Sequence, residues 1–461
     1  MKKLVCVLLS LILLVSCLAG CKKSNEKSET RDGRTVITMW TGNAHSKNVM
    51  EKLVDSFNNN EGKELGIYFE YIVKEGGSLT QSLELALQTE QAPDIMPSSG
   101  TLASMVENGY VVALDDLPGG KEFLSKYDSA IFREGRNTYK GKVYNVPVSV
   151  TTRGLIYNKE MFKKAGLVDE NGEPTPPKTF AQLKEYAKKL TDRENNKYGI
   201  IFPLKWTGWI DSDIRTVLLS SQGHNGYNPV TGEFDYSGLE PIITTYMDII
   251  KDKSSYPGAD GIDNDMARAY FSQGNIGMKL GYSFDVGVLT EQFPANFEWG
   301  VAPLPVVNEN DTYLQHMKHS GSPLINAKSV EKKGGDKLLK VLQWYTSDKV
   351  RAALYQSGSE LPIDWDIVKD VEITDEKTGW KEFGQMVEIS SLPNLEPNRD
   401  MTGLLELNER ITKDILSGNV PVKEALDNYS KDATAAAKKY YELHTDESIE
   451  KFIDKDWNIK R

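Results

Sequence analysis

The chain has 461 residues, 26% of them Asp, Glu, Lys or Arg, a formal net charge of −11 and three cysteines. That acidic balance argues against nucleic acid as a partner, because phosphate binding relies on clustered Lys and Arg that release counterions. At roughly 100 to 200 residues per domain the length allows two or three domains and an ample core.

Lys2 and Lys3 precede a mostly apolar run from Leu4 to Leu18 and a small-residue cleavage context, Leu18-Ala19-Gly20-Cys21. This is the layout of a secretory signal over residues 1–20. Ser10, Ser16 and Cys17 interrupt the run, which falls short of the roughly 20 apolar residues that a spanning helix needs, so cleavage is expected. Leu18-Ala19-Gly20-Cys21 resembles the lipobox of bacterial lipoproteins, which implies acylation of Cys21 and a lipid-anchored protein on the extracellular face of the cell membrane. With Lys2 and Lys3 gone the charge falls from −11 to −13, and with Cys6 and Cys17 gone no internal disulfide can form. Residues 21–34 are polar and charged and read as a lipidated flexible linker.

The run Thr35–Trp40 predicts a strand, Val49, Leu53 and Phe57 a helix, and Ile67–Val73 a second strand. A helix with Leu79, Leu83 and Leu87 follows, then a strand ending at Asp94-Ile95-Met96. Such alternation gives a parallel sheet with helices on both faces, and the loops at its strand ends, Trp40–Asn43 and Pro97–Thr101, are expected in a cleft. Thr179-Phe180-Ala181-Gln182 is a capping box opening a helix with Phe180, Leu183, Ala187 and Leu190 on one face, so a second α/β region begins near residue 153. Asp336 and Ser347 precede two further helices, and Leu404–Tyr441 is mostly helical in pattern.

Several segments together are similar to the solute-binding proteins of bacterial ABC importers, in the carbohydrate-binding branch that includes maltose-binding protein. They are Ala92-Pro93-Asp94-Ile95, Val146-Pro147-Val148 with Leu155–Lys159, Phe271–Tyr282, Trp299–Pro305 and Ile325-Asn326-Ala327-Lys328. Each is weak alone; in this order, behind a lipobox, they are collectively strong. The resemblance implies an α/β, two-lobe, type II periplasmic-binding-protein-like fold with hinged lobes, a ligand cleft between them and a helical C-terminal region. It places lobe one at 35–150 plus 300–355 and lobe two at 153–299 plus 356–461. It further implies a monomer that takes a carbohydrate to ABC permease subunits, with no cofactor and no reaction.

A sugar offers hydroxyls at its rim and C–H groups on its faces, so its site needs flat aromatics and a few hydrogen-bonding groups. Trp206, Trp209 and Asp211 supply both within six residues; one tryptophan is expected in the core, with Trp209 assigned to the cleft. Tyr282 and Phe284 lie in a strand and loop where the family has a stacking aromatic, with Phe284 at a position where tryptophan is common. Trp40 is either a cleft wall or a strand-end core residue, and Asn43, Ser98 and Ser99 are either hydroxyl partners or helix caps. The resemblance adds Thr151 and Arg153 as ligand contacts, and Glu360, Trp365, Arg399 and Asp400 as loop residues facing the hinge.

The rival readings are a surface-anchored glycan-active enzyme and a binding protein for a non-sugar solute. Asp211 with Asp213, and Asp115 with Asp116, are the carboxylate pairs an enzyme would use, but in so acidic a chain such pairs usually mark solvated faces. No G-x-S-x-G, H-E-x-x-H, Walker loop or G-x-G-x-x-G occurs. For a metal, His316 and His319 lack a third ligand at recognisable spacing, and the calcium-loop-like Asp192–Asn196 would place Pro203 where a bidentate Glu belongs.

Overall fold

A computed structural model describes residues 29–459 apart from 75, 207, 364–366, 369–370, 372–376 and 446, with backbone alone for 76, 77, 130, 211 and 212. The leader, Cys21, Trp365 and the side chain of Asp211 therefore lie outside the described residues. The chain forms two compact units, one of residues up to 42 with 50–127 and 323–343, the other of 43–49, 128–322 and 344–461.

The first unit is built on the strand Arg34–Thr41, which pairs in parallel with Ile67–Val73 from Thr35↔Ile67 to Thr41↔Val73, and in parallel with Ile95–Met96. Two antiparallel strands, Thr30–Arg31 and Leu324–Ile325, complete a five-stranded sheet. The parallel sheet expected here is thus mixed, because Leu324–Ile325 returns from far along the chain. Met50, Val54 and Phe57 form the buried stripe of one covering helix, leaving Val49 and Leu53 half-buried, so the buried face lies one residue on from the Val49-Leu53 reading. Asp94, 3% exposed, accepts from the Thr38 amide at 2.7 Å and from Lys333 Nζ at 2.8 Å, tying the sheet to the helix Ala327–Lys333. Asn326 caps that helix and donates to the Pro93 carbonyl at 3.1 Å, so two of the weak sequence segments are spatial neighbours.

The second unit centres on a four-stranded sheet in the order Trp299–Ala302, Arg153–Asn158, Ile276–Tyr282, Tyr198–Ile200. Its central pairings are antiparallel, from Met278↔Tyr157 to Tyr282↔Arg153, and both central strands are buried along their whole length. Thr179 caps the helix Phe180–Leu190 by accepting from the Gln182 amide at 3.2 Å; Phe180, Leu183, Ala187 and Leu190 form its buried face. That helix sits so close to the sheet that a Cβ on Gly199 would lie 2.0 Å from the Ala187 carbonyl oxygen. A second sheet runs Lys318–Ser320, Ser149–Thr151, Leu361–Pro362, all antiparallel. The 22-residue helix Val422–Leu443 buries Leu426, Tyr429, Ala433 and Ala437 in the larger core. Among the described residues no helix is long and apolar enough to cross a membrane.

Candidate ligand-binding site

Within the second unit, the strand Ile276–Tyr282 delivers Tyr282 and the turn after it delivers Phe284. The Phe284 ring stacks with two others, His45 at 4.6 Å and 18° and Tyr282 at 4.9 Å and 12°, and the Arg268 guanidinium lies 5.5 Å from its centre. Trp206, half-buried, meets the Tyr282 ring edge-on at 6.5 Å. Offset and edge-on arrangements at these separations are the favoured ones for aromatic rings.

Asp285 fixes the turn. Fully buried, it accepts from the Tyr282 amide at 3.2 Å, from Arg268 Nε at 2.8 Å and from Lys279 Nζ at 3.2 Å. Burial alone would raise this carboxyl, but Arg268 and Lys279 hold it below the usual carboxylate range. Lys279, itself buried, is pushed down by desolvation. Gly281 makes the approach possible, since a Cβ there would meet Ile156 Cδ1 at 2.3 Å and Asp285 Oδ2 at 2.9 Å.

Polar groups gather on the neighbouring sheet. Glu360, 4% exposed, accepts from Ser149 Oγ and Asn43 Nδ2 and shares a hydrogen bond with His45 Nε2 at 2.8 Å. Thr151 and Ser320 hydroxyls meet at 2.9 Å, and Lys318, exposed, places its Nζ 5.7 Å from the Tyr282 ring centre. The result is a cluster of rings, hydroxyls and one carboxylate, the mixture that ligand sites use to bind apolar faces and orient polar rims.

Of the residues expected from sequence, Asn43, Thr151, Arg153, Trp206, Tyr282, Phe284 and Glu360 come together in this unit. Two of them take other roles than expected. Arg153 is 2% exposed and committed to Asp213 and the Thr216 hydroxyl, its guanidinium 4.7 Å from the Tyr282 ring centre. It supports Tyr282 instead of facing a ligand, and Asp213 is thereby removed from the carboxylate pairs an enzyme would use. Phe284, half-buried, is already stacked with His45 and with Tyr282.

The other expectations part from the cluster. Trp209 is 4% exposed in the larger core, packed there because its neighbours Ile210 and Ile214 face the same interior; the partly open tryptophan is Trp206. Arg399 donates to the Tyr429 hydroxyl at 3.0 Å and lies over Phe234, while Asp400 pairs with Lys439 at 2.7 Å. In the first unit, Trp40 is half-buried with Lys74 Nζ 4.4 Å from its ring centre. Ser98 donates to the Gly100 carbonyl at 3.0 Å and Ser99 to Glu84 at 3.3 Å, and the following helix is capped by Thr101, not by either serine.

His45, Ser149, Arg268, Lys279, Asp285, Lys318 and Ser320 were not singled out from sequence. Lys279 carried a signal, since a lysine inside the apolar run Ile276–Tyr282 requires a buried counter-charge nearby. His316 and His319 show no third metal ligand: among the described residues no group of three or more His, Cys, Asp or Glu side chains could hold an ion. Desolvation and neighbouring arginines depress them to about 3 and about 4. Two surface hollows, one lined by Leu87, Ala92 and Asn326 and one by Pro176, Leu304 and Val306, contain none of the cluster residues.

A family model described as bacterial extracellular solute-binding protein matches residues 43–352. The maltotriose-binding protein of Pyrococcus abyssi is 25% identical over 332 residues, 71% of this chain and 67% of that protein. The arabinooligosaccharide-binding protein of Bacillus subtilis is 28% identical over 269 residues, 57% of this chain and 58% of that protein. The GacH receptor of Streptomyces glaucescens, solved unliganded and with acarbose, matches with a TM-score of 0.66 at 21% identity, covering 90% of this chain and 99% of that one. The shared fold is the α/β fold of type II periplasmic-binding proteins.

Proposed function

Because the chain belongs to the family of bacterial extracellular solute-binding proteins, which bind solutes and do not transform them, we propose that it captures an oligosaccharide and delivers it to an ABC permease. The observation that carries the sugar assignment is the meeting of the His45–Phe284–Tyr282 ring column with Glu360 and the hydroxyls of Ser149, Thr151 and Ser320. Rings cover the C–H faces of a pyranose; the carboxylate and hydroxyls meet its rim. Binding proteins for maltotriose and for arabinooligosaccharide among its relatives support the same solute class.

In this reading a sugar that stacks on Phe284 takes the position His45 occupies beside that ring. A sugar that displaces His45 exchanges one stacked ring for another and takes over the hydrogen bond to Glu360. The exchange shifts the protein toward its loaded form only by the difference in affinity between the two forms. The lipid on Cys21 and the polar linker after it keep the loaded protein beside the permease, on the outer face of the membrane.

A thermal-shift screen of the protein against oligosaccharides, amino acids and polyol phosphates tests the reading, because a ligand at about 100 times its Kd adds about 2.7 kcal/mol to the native state. Oligosaccharides should raise the melting temperature, and Glu360→Ala should remove the rise without lowering the melt of the empty protein by more than a few degrees. A rise with amino acids or polyol phosphates alone would sink the sugar assignment.

A further inference from the structure

The second unit gathers cations that, among the described residues, form no ion pair with its carboxylates. Arg133 Nη1 and Arg136 Nη2 donate to the same neutral acceptor, the Pro393 carbonyl, at 3.3 and 3.4 Å. Both side chains are half-buried, and among the described residues neither forms an ion pair with a carboxylate. Two guanidinium groups on one carbonyl oxygen repel each other, and a neutral oxygen relieves that repulsion less than an anion would. Glu396, the nearby acid, is taken up by Arg215. Lys318, on the strand opposite Thr151, forms no ion pair among the described residues; it stands over the Tyr282 ring, and the acid that acts on it is Glu360.

These groups share one neighbourhood. His316 pairs in register with Ser391, two residues before the Pro393 that Arg133 and Arg136 share, and Lys318 follows His316 by two residues; burial first, and then these cations, depress His316 and His319. No acid is prominent among the influences on either histidine. The His319 Nδ1 atom is buried and has no hydrogen-bond partner among the described residues. In a chain of net charge −11, cations beside the ring column that form no ion pair among the described residues mark a local demand for negative charge.

We propose that the saccharide bound here is anionic, its carboxylate or sulfate held by Arg133 and Arg136, with Lys318 meeting the charge on the ring-column side. This rests on the saccharide-binding reading above and narrows it to acidic glycans. Arginine suits the task because its planar fork presents paired donors to a carboxylate or sulfate, and half-burial strengthens the contact.

The test is calorimetric titration of the whole protein with three ligands of equal length: maltotriose, trigalacturonic acid and a sulfated trisaccharide. Losing a hydrogen bond to a charged group weakens binding by roughly tenfold or more. The acidic ligands should therefore bind at least about tenfold more tightly than maltotriose at low salt, with the gap closing as salt rises. Which of the two acidic ligands binds more tightly identifies the anion. The double variant Arg133→Gln/Arg136→Gln should lose the acidic preference and leave maltotriose affinity within about twofold. Should that variant fail to fold, the exposed Lys318→Gln should narrow the same gap. Equal affinity for acidic and neutral ligands, or an equal loss for both in the variants, overturns the anionic assignment and leaves the saccharide reading standing. Failure of every saccharide while another solute binds overturns both.

Discussion

Replacing Asp285 by Asn keeps the size and shape of the side chain and removes its charge at the centre of the turn that carries Phe284. The carboxylate receives Arg268, Lys279 and the Tyr282 amide, and none of its surface reaches solvent. Removing one partner of a buried ion pair costs about 3–5 kcal/mol, because the remaining charge is left uncompensated. Arg268 keeps Asp265 at 2.6 Å, whereas Lys279 keeps only the Leu280 carbonyl, so the effect should fall near the lower bound, about 3 kcal/mol. Urea unfolding at pH 7 followed by circular dichroism measures it, with Asp265→Asn, an exposed partner, as a control expected to cost under about 1 kcal/mol. Adding Lys279→Met to Asp285→Asn should recover at least half of the loss, since the orphaned charge is then gone. The sign with pH also follows. The folded carboxyl titrates below the ordinary 3.8, so its stabilisation is complete above that pH and is lost as pH falls through the lower folded value. The variant should lack that acid-limb contribution. A loss below about 1 kcal/mol for Asp285→Asn, or no recovery in the double variant, would refute the account of the turn as electrostatically held.

The two tryptophans of the same segment should separate cleanly: Trp209→Ala should cost about 3–5 kcal/mol in urea unfolding, while Trp206→Ala should weaken oligosaccharide binding with a much smaller effect on stability. His316 and His319 titrate at about 3 and about 4 in the folded protein against 6.5 for a free histidine, so their contribution is complete above pH 6.5 and declines as pH falls toward the folded values. At pH 5 the pair should have lost about 2 kcal/mol, halved here for partial exposure, and His316→Gln/His319→Gln should flatten the decline in stability between pH 6.5 and 4. Cys21→Ser should release the protein from the membrane fraction into the medium, read by fractionation and immunoblot; retention in the membrane would exclude the lipid as the tether.

Local patterns were readable because their causes are local. The Thr179 hydroxyl and the amide it caps are three residues apart, so the start and buried face of Phe180–Leu190 follow from neighbouring positions alone. In the helix Lys47–Asn59 periodicity put Val49, Leu53 and Phe57 on the buried face, whereas the fold buries Met50, Val54 and Phe57, a rotation that spacing alone does not fix. Trp206 and Trp209 look alike in the chain. Trp209 is buried in one core with Ile210 and Ile214 while Trp206 only packs against its edge, and no spacing rule carries that information.

The family and the mixed α/β class were set by the sequence itself, since short segments spread along the chain each carry part of that identity and burial patterns repeat locally. The candidate site was decided by tertiary structure, because its groups are neighbours only after folding. His45 and Glu360 are 315 residues apart, and Ser149 reaches the same carboxylate across 211. The cations Arg133 and Arg136 meet on the Pro393 carbonyl across about 260 residues, and only there does it become visible that they form no ion pair among the described residues. A chain records which residues it has; which charges find partners depends on where the fold brings them.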